Sequence, residues 1–472
     1  MSIQTHSLFD RTLRNIRSGW RAIAGTDYNV ETASHRPDLP DDDLPAIREQ
    51  ISACLEGKGG EVSARARSAN LGHVYLALET KGQQRFLRIL NDEYGPNKAK
   101  VETAIKQYQD ANNAAENQSA EREIRRSLES PRLRLLRQFN DLPDGVKFLV
   151  DMRAQLLELA EQDPSLSPLE QDMRHLLKRW FDIGFLELKR ITWDTASAAL
   201  LEKLIAYEAV HTIESWDDLK NRLDSDRRCF AYFHPKMPDE PLIFVEVALV
   251  NGLAASVQAL LDKNAPVQDP KLADTAIFYS ISNAQKGLAG ISFGNFLIKR
   301  VAAQLSQEFP GLKTFATLSP IPGYMSWLCK ALAEQDFEVV KPTEHKSLKE
   351  IAESIEPDGS PLSLIKDNQW IQDEHLAQAL QLPLTRLAAH YLAEQKGFNP
   401  NRARDPVAHF HLSNGAIIEK LNWMGDKSDN GVTQSAGLMV NYLYDLERID
   451  ENHEAYSGAG RITVSTEIKS LI

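Results

Sequence analysis

The apolar positions in the first part of the chain recur at helical spacing. From residue 8 to about residue 190 the sequence is rich in Leu, Ala, Glu, Arg and Gln and has few β-branched runs. The segment from Phe148 to Ala160 shows the pattern clearly, and a break from Asp163 to Pro168 separates it from another amphipathic run that ends at Trp180. Because several antiparallel helices would bury these stripes, we predict an all-α helical bundle domain over residues 1–190.

After about residue 191 the pattern changes to short β-favouring runs separated by helical segments. The runs are Cys229–Phe233, Leu242–Val250, Ala276–Ile281 and Thr314–Leu318. Apolar spacings of one, three and four residues predict a helix that starts near Ser292 and packs against the sheet, and a longer helical stretch runs from Leu348 to Gln395. We therefore predict an α/β domain over residues 191–472, which makes the fold class α + α/β.

The segment from Val407 to Trp423 predicts a β-hairpin, because Asn414-Gly415 can supply the two positive φ angles of a type I′ turn. On the first strand of this hairpin, His409 and His411 are two residues apart. Alternate side chains of a strand point to the same face of a sheet. The pattern therefore predicts that both histidines lie on one face.

Composition and charge are those of an ordinary globular protein. Of 472 residues, 42% are hydrophobic and 25% are charged, which is enough to bury a large core. The chain has 54 Lys and Arg against 66 Asp and Glu, a formal charge of -12, and it has no long basic block. Nucleic acid is therefore not expected as a partner.

Membrane and targeting signals are weak along the chain. The longest apolar stretch, Pro241–Val250, contains Glu246 and is far shorter than the roughly 20 residues of a membrane helix. The N-terminus does not show the pattern of a signal peptide, and the last residues, Lys-Ser-Leu-Ile, are not a peroxisomal ending. We therefore expect a cytoplasmic protein with no membrane partner.

The chain has three cysteines, Cys54, Cys229 and Cys329. Their wide spacing favours neither a disulfide framework nor a zinc site.

A glycine-bearing segment between a predicted strand and a predicted helix is the first candidate for chemistry. It runs from Ser280 to Gly294 and carries Gly287 and Gly290 as well. Such a turn lets backbone N–H groups approach a phosphate while the helix N-terminus stabilises the negative charge. It matches neither the dinucleotide fingerprint nor a P-loop, and a tight turn that needs glycine explains it equally well.

Ser319 is the second candidate, because it ends a predicted strand just before two prolines that restrict the chain. It does not lie in a Gly-x-Ser-x-Gly nucleophile elbow, and a turn or capping role is the alternative. The histidine pair is the third candidate, for acid–base work or for a metal that would need further, scattered ligands. Ordinary strand side chains are the alternative for His409 and His411, and core packing is the alternative for Tyr442 and Tyr444.

Several blocks of the second half resemble the malonyl-CoA decarboxylase family, and they occur in the family's order. They are Phe278–Ser282, Gly294–Val301, Leu318–Gly323 and Phe410–Ala416, extended by Asn422–Met424 and Gly437–Tyr442. The resemblance implies a helical oligomerisation domain followed by a catalytic domain similar to the GCN5-related acetyltransferases. It also implies a homotetramer, built as a dimer of dimers, that converts malonyl-CoA to acetyl-CoA and CO2 in fatty acid metabolism.

The resemblance also assigns roles to individual residues. It implies that Ser319 and His411, rather than His409, are catalytic, and that Ser280 and Tyr444 are possible substrate contacts. The residues that it implies for CoA binding are Gly287, Ala289, Gly290, Ile291, Ser292, Phe293, Gly294 and Asn295. Ser292 stands where an acidic residue is expected in animal relatives, so no carboxylate role is carried over to that position. The absence of a peroxisomal ending fits a bacterial-type cytoplasmic member.

The implied reaction sets requirements for the site. Loss of CO2 leaves negative charge on the thioester oxygen, so the site needs hydrogen-bond donors and a proton source, and we expect no metal or organic cofactor, since CoA belongs to the substrate. Three alternatives stay open at this point. They are a CoA-dependent acyltransferase on the same fold, a non-catalytic acyl-CoA sensor, and a metal-dependent hydrolase that uses the two histidines.

Overall fold

The structure is a computed structural model that describes residues 29–56, 60–140, 142–291, 297–336 and 339–472. The chain divides into two compact units. The first, called the helical unit here, comprises the described parts of Met1–Glu187, His234–Pro241 and Gln285–Ser292. The second, called the sheet unit, comprises those of Leu188–Phe233, Leu242–Ala284 and Phe293–Ile472. The helical unit thus includes two short segments from the second half of the chain.

The helical character predicted for the first part of the chain is confirmed. Its helices are α1 (Val30–His35), α2 (Leu44–Glu56), α3 (Gly60–Ala77), α4 (Thr80–Glu93), α5 (Lys98–Gln109), α6 (Ala114–Leu128), α7 (Pro131–Asn140), α8 (Gly145–Gln162) and α9 (Ser167–Trp180). The break predicted before the last of these is a short 3-10 turn, Pro164–Leu166, which begins at the capping residue Asp163. Four aromatic rings meet edge to face in the core of this unit, at centroid distances of 5.2 to 5.9 Å, and they are Tyr75, Phe86, Phe139 and Phe148.

The second part of the chain forms a mixed sheet with helices between its strands, as predicted. The strands are β1 (Glu187–Ile191), β2 (Arg227–His234), β3 (Met237–Val250), β4 (Thr275–Asn283), β5 (Thr314–Thr317), β6 (Ser319–Pro320), β7 (Ile417–Asn422) and β8 (Met439–Leu443). Within the described residues their order is β1-β2-β3-β4-β5-β8-β6, and β7 pairs with β8. The runs predicted as strands from the sequence lie in β2, β3, β4 and β5.

Strands β4 and β5 run parallel and then separate. Their pairing ends at Phe278 and Thr317, and the N–H of Leu318 donates to the carbonyl of Phe278 at 3.1 Å. The register between β3 and β4 shifts at this level, where Tyr279 has no opposite residue. A bulge of this kind bends a strand. Beyond it, Tyr279–Asn283 continues past the last β5 partner, while Ser319 pairs with Val440 of β8 instead.

Helices connect and cover these strands. They are α10 (Ala198–Tyr207), α11 (Trp216–Arg222), α12 (Val257–Leu260), α13 (Leu297–Glu308), α14 (Tyr324–Glu334), α15 (Pro342–Ile355), α16 (Pro361–Asp367), α17 (Glu374–Ala393), α18 (Pro406–Ser413), α19 (Asp429–Ser435), α20 (Ile449–Ala459) and α21 (Thr466–Leu471). The start expected near Ser292 lies outside the described residues. No helix in the described ranges combines the length and apolar character that crossing a membrane requires.

The hairpin predicted from Val407 is wrong, because its first half is helix α18. Asp405 caps this helix by accepting hydrogen bonds from the N–H groups of Val407 and Ala408, and Pro406 occupies its first turn. Gly415 ends it with a φ of 84°, and a side chain there would meet the carbonyl oxygen of Ile449 at 2.1 Å. Asn414-Gly415 is therefore a helix end and not a strand turn.

Candidate active site

Ser319 and His411, which are 92 residues apart in the sequence, meet in the sheet unit. The Oγ atom of Ser319 lies 3.1 Å from Nε2 of His411, and both side chains are buried. Ser319 is held by the short strand β6, and His411 lies on the buried side of α18. Two side chains that the sequence motifs singled out independently are therefore in direct hydrogen-bond contact.

His411 is fixed through its second nitrogen and through one ring face. Its Nδ1 lies 2.7 Å from the hydroxyl of Tyr444, and the ring of Tyr442 stacks on it at a centroid distance of 4.4 Å. Burial lowers the pKa of His411 to about 3 and raises the pKa of Tyr444 well above its ordinary value. The imidazole is therefore neutral and the phenol is protonated at neutral pH.

Thr317 extends this contact into a chain of hydrogen bonds. The hydroxyl of Ser319 donates to Oγ1 of Thr317 at 2.8 Å, and the N–H of Tyr442 donates to the same oxygen at 3.2 Å. Because the Ser319 proton points to Thr317, a neutral His411 completes the chain by donating from Nε2 to Ser319 and accepting from Tyr444 at Nδ1. Each group then donates its hydrogen bond to the next, in the order Tyr444, His411, Ser319 and Thr317.

Asp405 ties the segment after Ser319 to the helix that carries His411. One of its carboxylate oxygens caps α18, and the other accepts a hydrogen bond from the N–H of Gly323 at 3.2 Å. Gly323 is required there, because a side chain would lie 2.2 Å from the hydroxyl of Tyr391. Desolvation raises the pKa of the Asp405 carboxyl, and the hydrogen bonds that it accepts oppose that rise.

Two asparagines brace the end of β5. The side-chain amide of Asn441 donates to the carbonyl of Thr317 at 2.7 Å and to that of Ala254 at 3.0 Å, and Asn422 donates to Asn441 at 2.8 Å. Both asparagine side chains are buried.

In the sequence, Asn422 and Asn441 stood out only as parts of longer matching blocks, and the motifs gave Thr317 and Asp405 no role. The Asp405-Pro406 pair was the signal available, since it is a typical helix start.

The other two polar candidates, Ser280 and His409, form hydrogen bonds with residues other than Ser319 and His411. Ser280 donates to both oxygens of Glu208 at 2.8 Å, and Ser282 donates to the same carboxylate, so the Ser280 hydroxyl contacts neither Ser319 nor His411. His409 lies about 200° around α18 from His411 and contacts the hydroxyl of Tyr456 at 2.8 Å. The two histidines therefore do not share a face, and in the described ranges no three His, Cys, Asp or Glu side chains are grouped as a metal would require.

From Gln285 onward the described part of the glycine segment lies in the helical unit, whereas Ser280–Ala284 lies in the sheet unit. Lys286–Leu288 forms a 3-10 turn, and a side chain at Gly287 would lie 1.7 Å from the carbonyl oxygen of Val150 on α8. Gly290 has a φ of 72°, a left-handed conformation that favours glycine. Leu288 and Ile291 are buried, whereas Ala289 and Gly290 are exposed. The further predicted CoA contacts Ser292, Phe293, Gly294 and Asn295 lie outside the described residues.

Comparison with known proteins confirms the resemblance seen in the motifs. The sequence model of the malonyl-CoA decarboxylase C-terminal domain matches residues 184–472, and that of the N-terminal domain matches residues 94–181. The mitochondrial malonyl-CoA decarboxylase of Anser anser anser is 36% identical over 426 residues, which are 87% of this chain and 84% of that protein. The mitochondrial enzyme of Rattus norvegicus is 40% identical over 354 residues, 72% of this chain and 71% of that protein.

Solved structures agree with the sequence matches. The crystal structure of malonyl-CoA decarboxylase from Rhodopseudomonas palustris is 40% identical with a TM-score of 0.83, covering 90% of this chain and 99% of that one. The crystal structure of the protein from Agrobacterium vitis is 39% identical with a TM-score of 0.81 and the same coverage. On these matches to sequence and structure, the chain belongs to the malonyl-CoA decarboxylase family.

Proposed function

We propose that this chain converts malonyl-CoA to acetyl-CoA and CO2, and that the buried chain Tyr444–His411–Ser319 delivers the proton. The observation that carries the proposal is the pair of contacts at the two nitrogens of His411, 3.1 Å to Ser319 and 2.7 Å to Tyr444, in a member of this family. General acid catalysis needs a donor that is held in place and a path that resupplies its proton. These contacts provide both.

The proposed reaction begins with loss of CO2. The bond between the carboxylate carbon and C2 of the malonyl group breaks, and its electron pair is delocalised over C2 and the thioester oxygen as an enolate. A neutral His411 stabilises the carboxylate of the malonyl group less than a positively charged imidazolium would. The site therefore does not stabilise the bound substrate more strongly than the enolate that forms from it. Hydrogen-bond donors at the thioester oxygen would lower the barrier further.

Protonation of C2 then completes the reaction. The Ser319 hydroxyl gives its proton to C2, Nε2 of His411 replaces that proton, and the Tyr444 hydroxyl replaces the proton of His411 at Nδ1. After product release, a solvent proton reaches Nε2 by way of the Ser319 hydroxyl, and Nδ1 returns its proton to the Tyr444 phenolate, which restores the starting tautomer of His411. The enolate carbon is a much stronger base than a phenolate, so the transfer proceeds even though burial raises the pKa of Tyr444. The proposed steps use groups of the protein and require neither a metal nor an organic cofactor.

The open edge of β4 supports binding of an acyl-CoA. Past Phe278 this edge has no β5 partner in the described part of the sheet, so the backbone groups on this side of β4 are not paired with β5. An extended ligand that carries amides can pair with such an edge, as peptides do in strand addition, and the pantetheine arm of CoA carries two amides. Because Ser319 lies two residues beyond Thr317, the last β5 residue paired with β4, a pantetheine arm on this edge would lead the thioester toward Ser319.

The test is product analysis by mass spectrometry after chelator-treated protein is mixed with malonyl-CoA and no acceptor. The proposal predicts acetyl-CoA and CO2 in equal amounts. Acyl transfer only after an amine is added would indicate an acyltransferase, and tight binding of malonyl-CoA without consumption would indicate a sensor. Either result would overturn the proposal, as would activity that is lost with the chelator and restored by a metal. The homotetramer that the family implies is likewise a proposal, which light scattering of the purified protein tests.

A further inference from the structure

The carboxylate of Glu208 joins the end of helix α10 to strand β4 within the sheet unit. Glu208 follows the last residue of α10, and its Oε1 accepts hydrogen bonds from the N–H groups of Val210 at 2.9 Å and His211 at 2.8 Å. The hydroxyl of Ser280 donates to both carboxylate oxygens at 2.8 Å, and that of Ser282 donates to Oε2 at 3.1 Å. Four donors therefore surround one carboxylate, which suits an ionised group that accepts at both oxygens.

The two serines of β4 are fixed by these contacts. Ser280 has one hydroxyl proton, which it donates to Glu208, so the Ser280 oxygen can only accept from another group. The hydroxyl of Ser282 accepts a hydrogen bond from the N–H of Ala209 at 3.2 Å while it donates to Glu208. Both serine side chains are buried. The segment after α10 therefore holds two alternate residues of β4.

Glu208 acts where β4 has lost part of its support. The pairing with β5 ends at Phe278, and the bulge at Tyr279 interrupts the register with β3. A bulge disrupts the ladder locally and bends the strand. Ser280 and Ser282 lie just beyond it and share a face of the sheet, as alternate residues of a strand do. Holding both of them fixes the rotation of this part of the strand about its own axis.

That rotation sets the direction of the peptide groups of Ile281, which lies between the two serines. Just after β4 the N–H of Ala284 donates to the carbonyl of Leu242 on β3 at 2.9 Å. Hydrogen-bonded and non-hydrogen-bonded pairs alternate along an antiparallel ladder, so Ile281 and its opposite residue Val245 form a non-hydrogen-bonded pair. The N–H and C=O of Ile281 therefore point away from β3, to the side from which β5 has separated.

We infer that Glu208 is a positioning residue, which acts through the two serines to aim the peptide groups of Ile281 at the amides of the pantetheine arm. The inference rests on the proposed function, in which that arm pairs with this edge of β4. It also changes the role of Ser280, which the family resemblance implied as a substrate contact. The Ser280 hydroxyl acts on the substrate through Glu208 and the strand.

The test is the kinetics of Glu208→Gln with malonyl-CoA, malonyl-pantetheine and the malonyl thioester of ethanethiol, which has no amide. A carboxamide has one acceptor oxygen and cannot serve both the N–H groups and the serines. KM for malonyl-CoA and for malonyl-pantetheine should rise about tenfold, with kcat within about twofold of wild type. The kcat/KM for the ethanethiol thioester should change by less than about twofold, because no amide is there to be misaligned.

Glu214→Gln is the matched control, because it removes the same charge from a side chain that is 77% exposed in the connection between α10 and α11. It should behave as wild type. Glu208→Gln should fold, since it also relieves repulsion: desolvation and the charge of Glu208 raise the pKa of the buried Glu246 to about 8. Ser282→Ala leaves the carboxylate in place and removes one of its bonds to β4. It should raise KM for malonyl-CoA about threefold and spare the ethanethiol thioester.

Ser280→Ala separates the positioning role from a direct contact with the substrate. In the Glu208→Gln background it should raise KM by less than about twofold, because both changes act on the same bond. A further loss there as large as the loss in wild type would overturn the inference. So would wild-type KM values in Glu208→Gln, or equal losses with all three substrates, while wild-type activity stands. A wild-type protein that leaves malonyl-CoA intact would instead overturn the proposed function.

Discussion

At the scale of single residues, the candidate site is a line of neutral hydrogen-bonding groups. Burial keeps His411 a neutral imidazole and Tyr444 a protonated phenol. Which group donates and which accepts is therefore set by the hydrogen-bond partners and not by charged side chains. Thr317 sets that direction at one end of the line, since the backbone N–H of Tyr442 fixes the hydroxyl group that accepts from Ser319. Thr317 can therefore control the orientation of the hydroxyl that we propose as the proton donor.

Thr317→Val should lower kcat about tenfold with little change in KM, because Oγ of Ser319 loses the contact that holds it beside Nε2 of His411 while the shape of the residue 317 side chain is kept. Thr317→Ser is the matched control, since it keeps the hydroxyl and loses only a methyl group. Steady-state kinetics of both variants, with unfolding curves to record stability, make the comparison. Similar kcat values for the Val and Ser variants would contradict the role given to the Thr317 hydroxyl.

At the scale of elements, the site depends on two short segments that end at defined residues. Strand β5 stops at Thr317 and its continuation pairs with β8, while helix α18 begins after Asp405 and presents His411 on its buried side. Asp405 connects the two, because one oxygen serves the helix and the other serves Gly323. The separation of Ser319 from His411 is therefore set by the positions of these segments.

Asp405→Asn should lower kcat about tenfold, because an amide has one acceptor oxygen and can serve the helix or Gly323 but not both. Asp373→Asn is the control, since Asp373 caps helix α17 through the N–H groups of His375 and Leu376. That variant should keep wild-type kcat. The measurement is kcat and KM for malonyl-CoA at matched protein stability, and wild-type kcat in Asp405→Asn would show that the second oxygen has no positioning role.

At the scale of the whole molecule, the sequence predicted the features that depend on local periodicity. The helices of the first part and strands β2 to β5 were predicted because their apolar patterns are long and regular. The place of His411 was predicted wrongly, because the turn signal of Asn414-Gly415 competed with the capping signal of Asp405-Pro406, and the cap prevailed. The bonds from Thr317 to Tyr442 and from Arg153 to Gly287 join residues over 100 positions apart, and no local pattern encodes them.

The proton-donor role of Ser319 is tested by comparing Ser319→Ala with wild type in single-turnover decarboxylation and in malonyl-CoA binding. We expect a rate lower by roughly 10²- to 10⁴-fold, the usual contribution of a positioned acid, with a dissociation constant within about threefold of wild type. A Ser319→Ala enzyme that decarboxylates bound malonyl-CoA at the wild-type rate and has lost only affinity would contradict it, because Ser319 would then hold the substrate without taking part in the proton transfer.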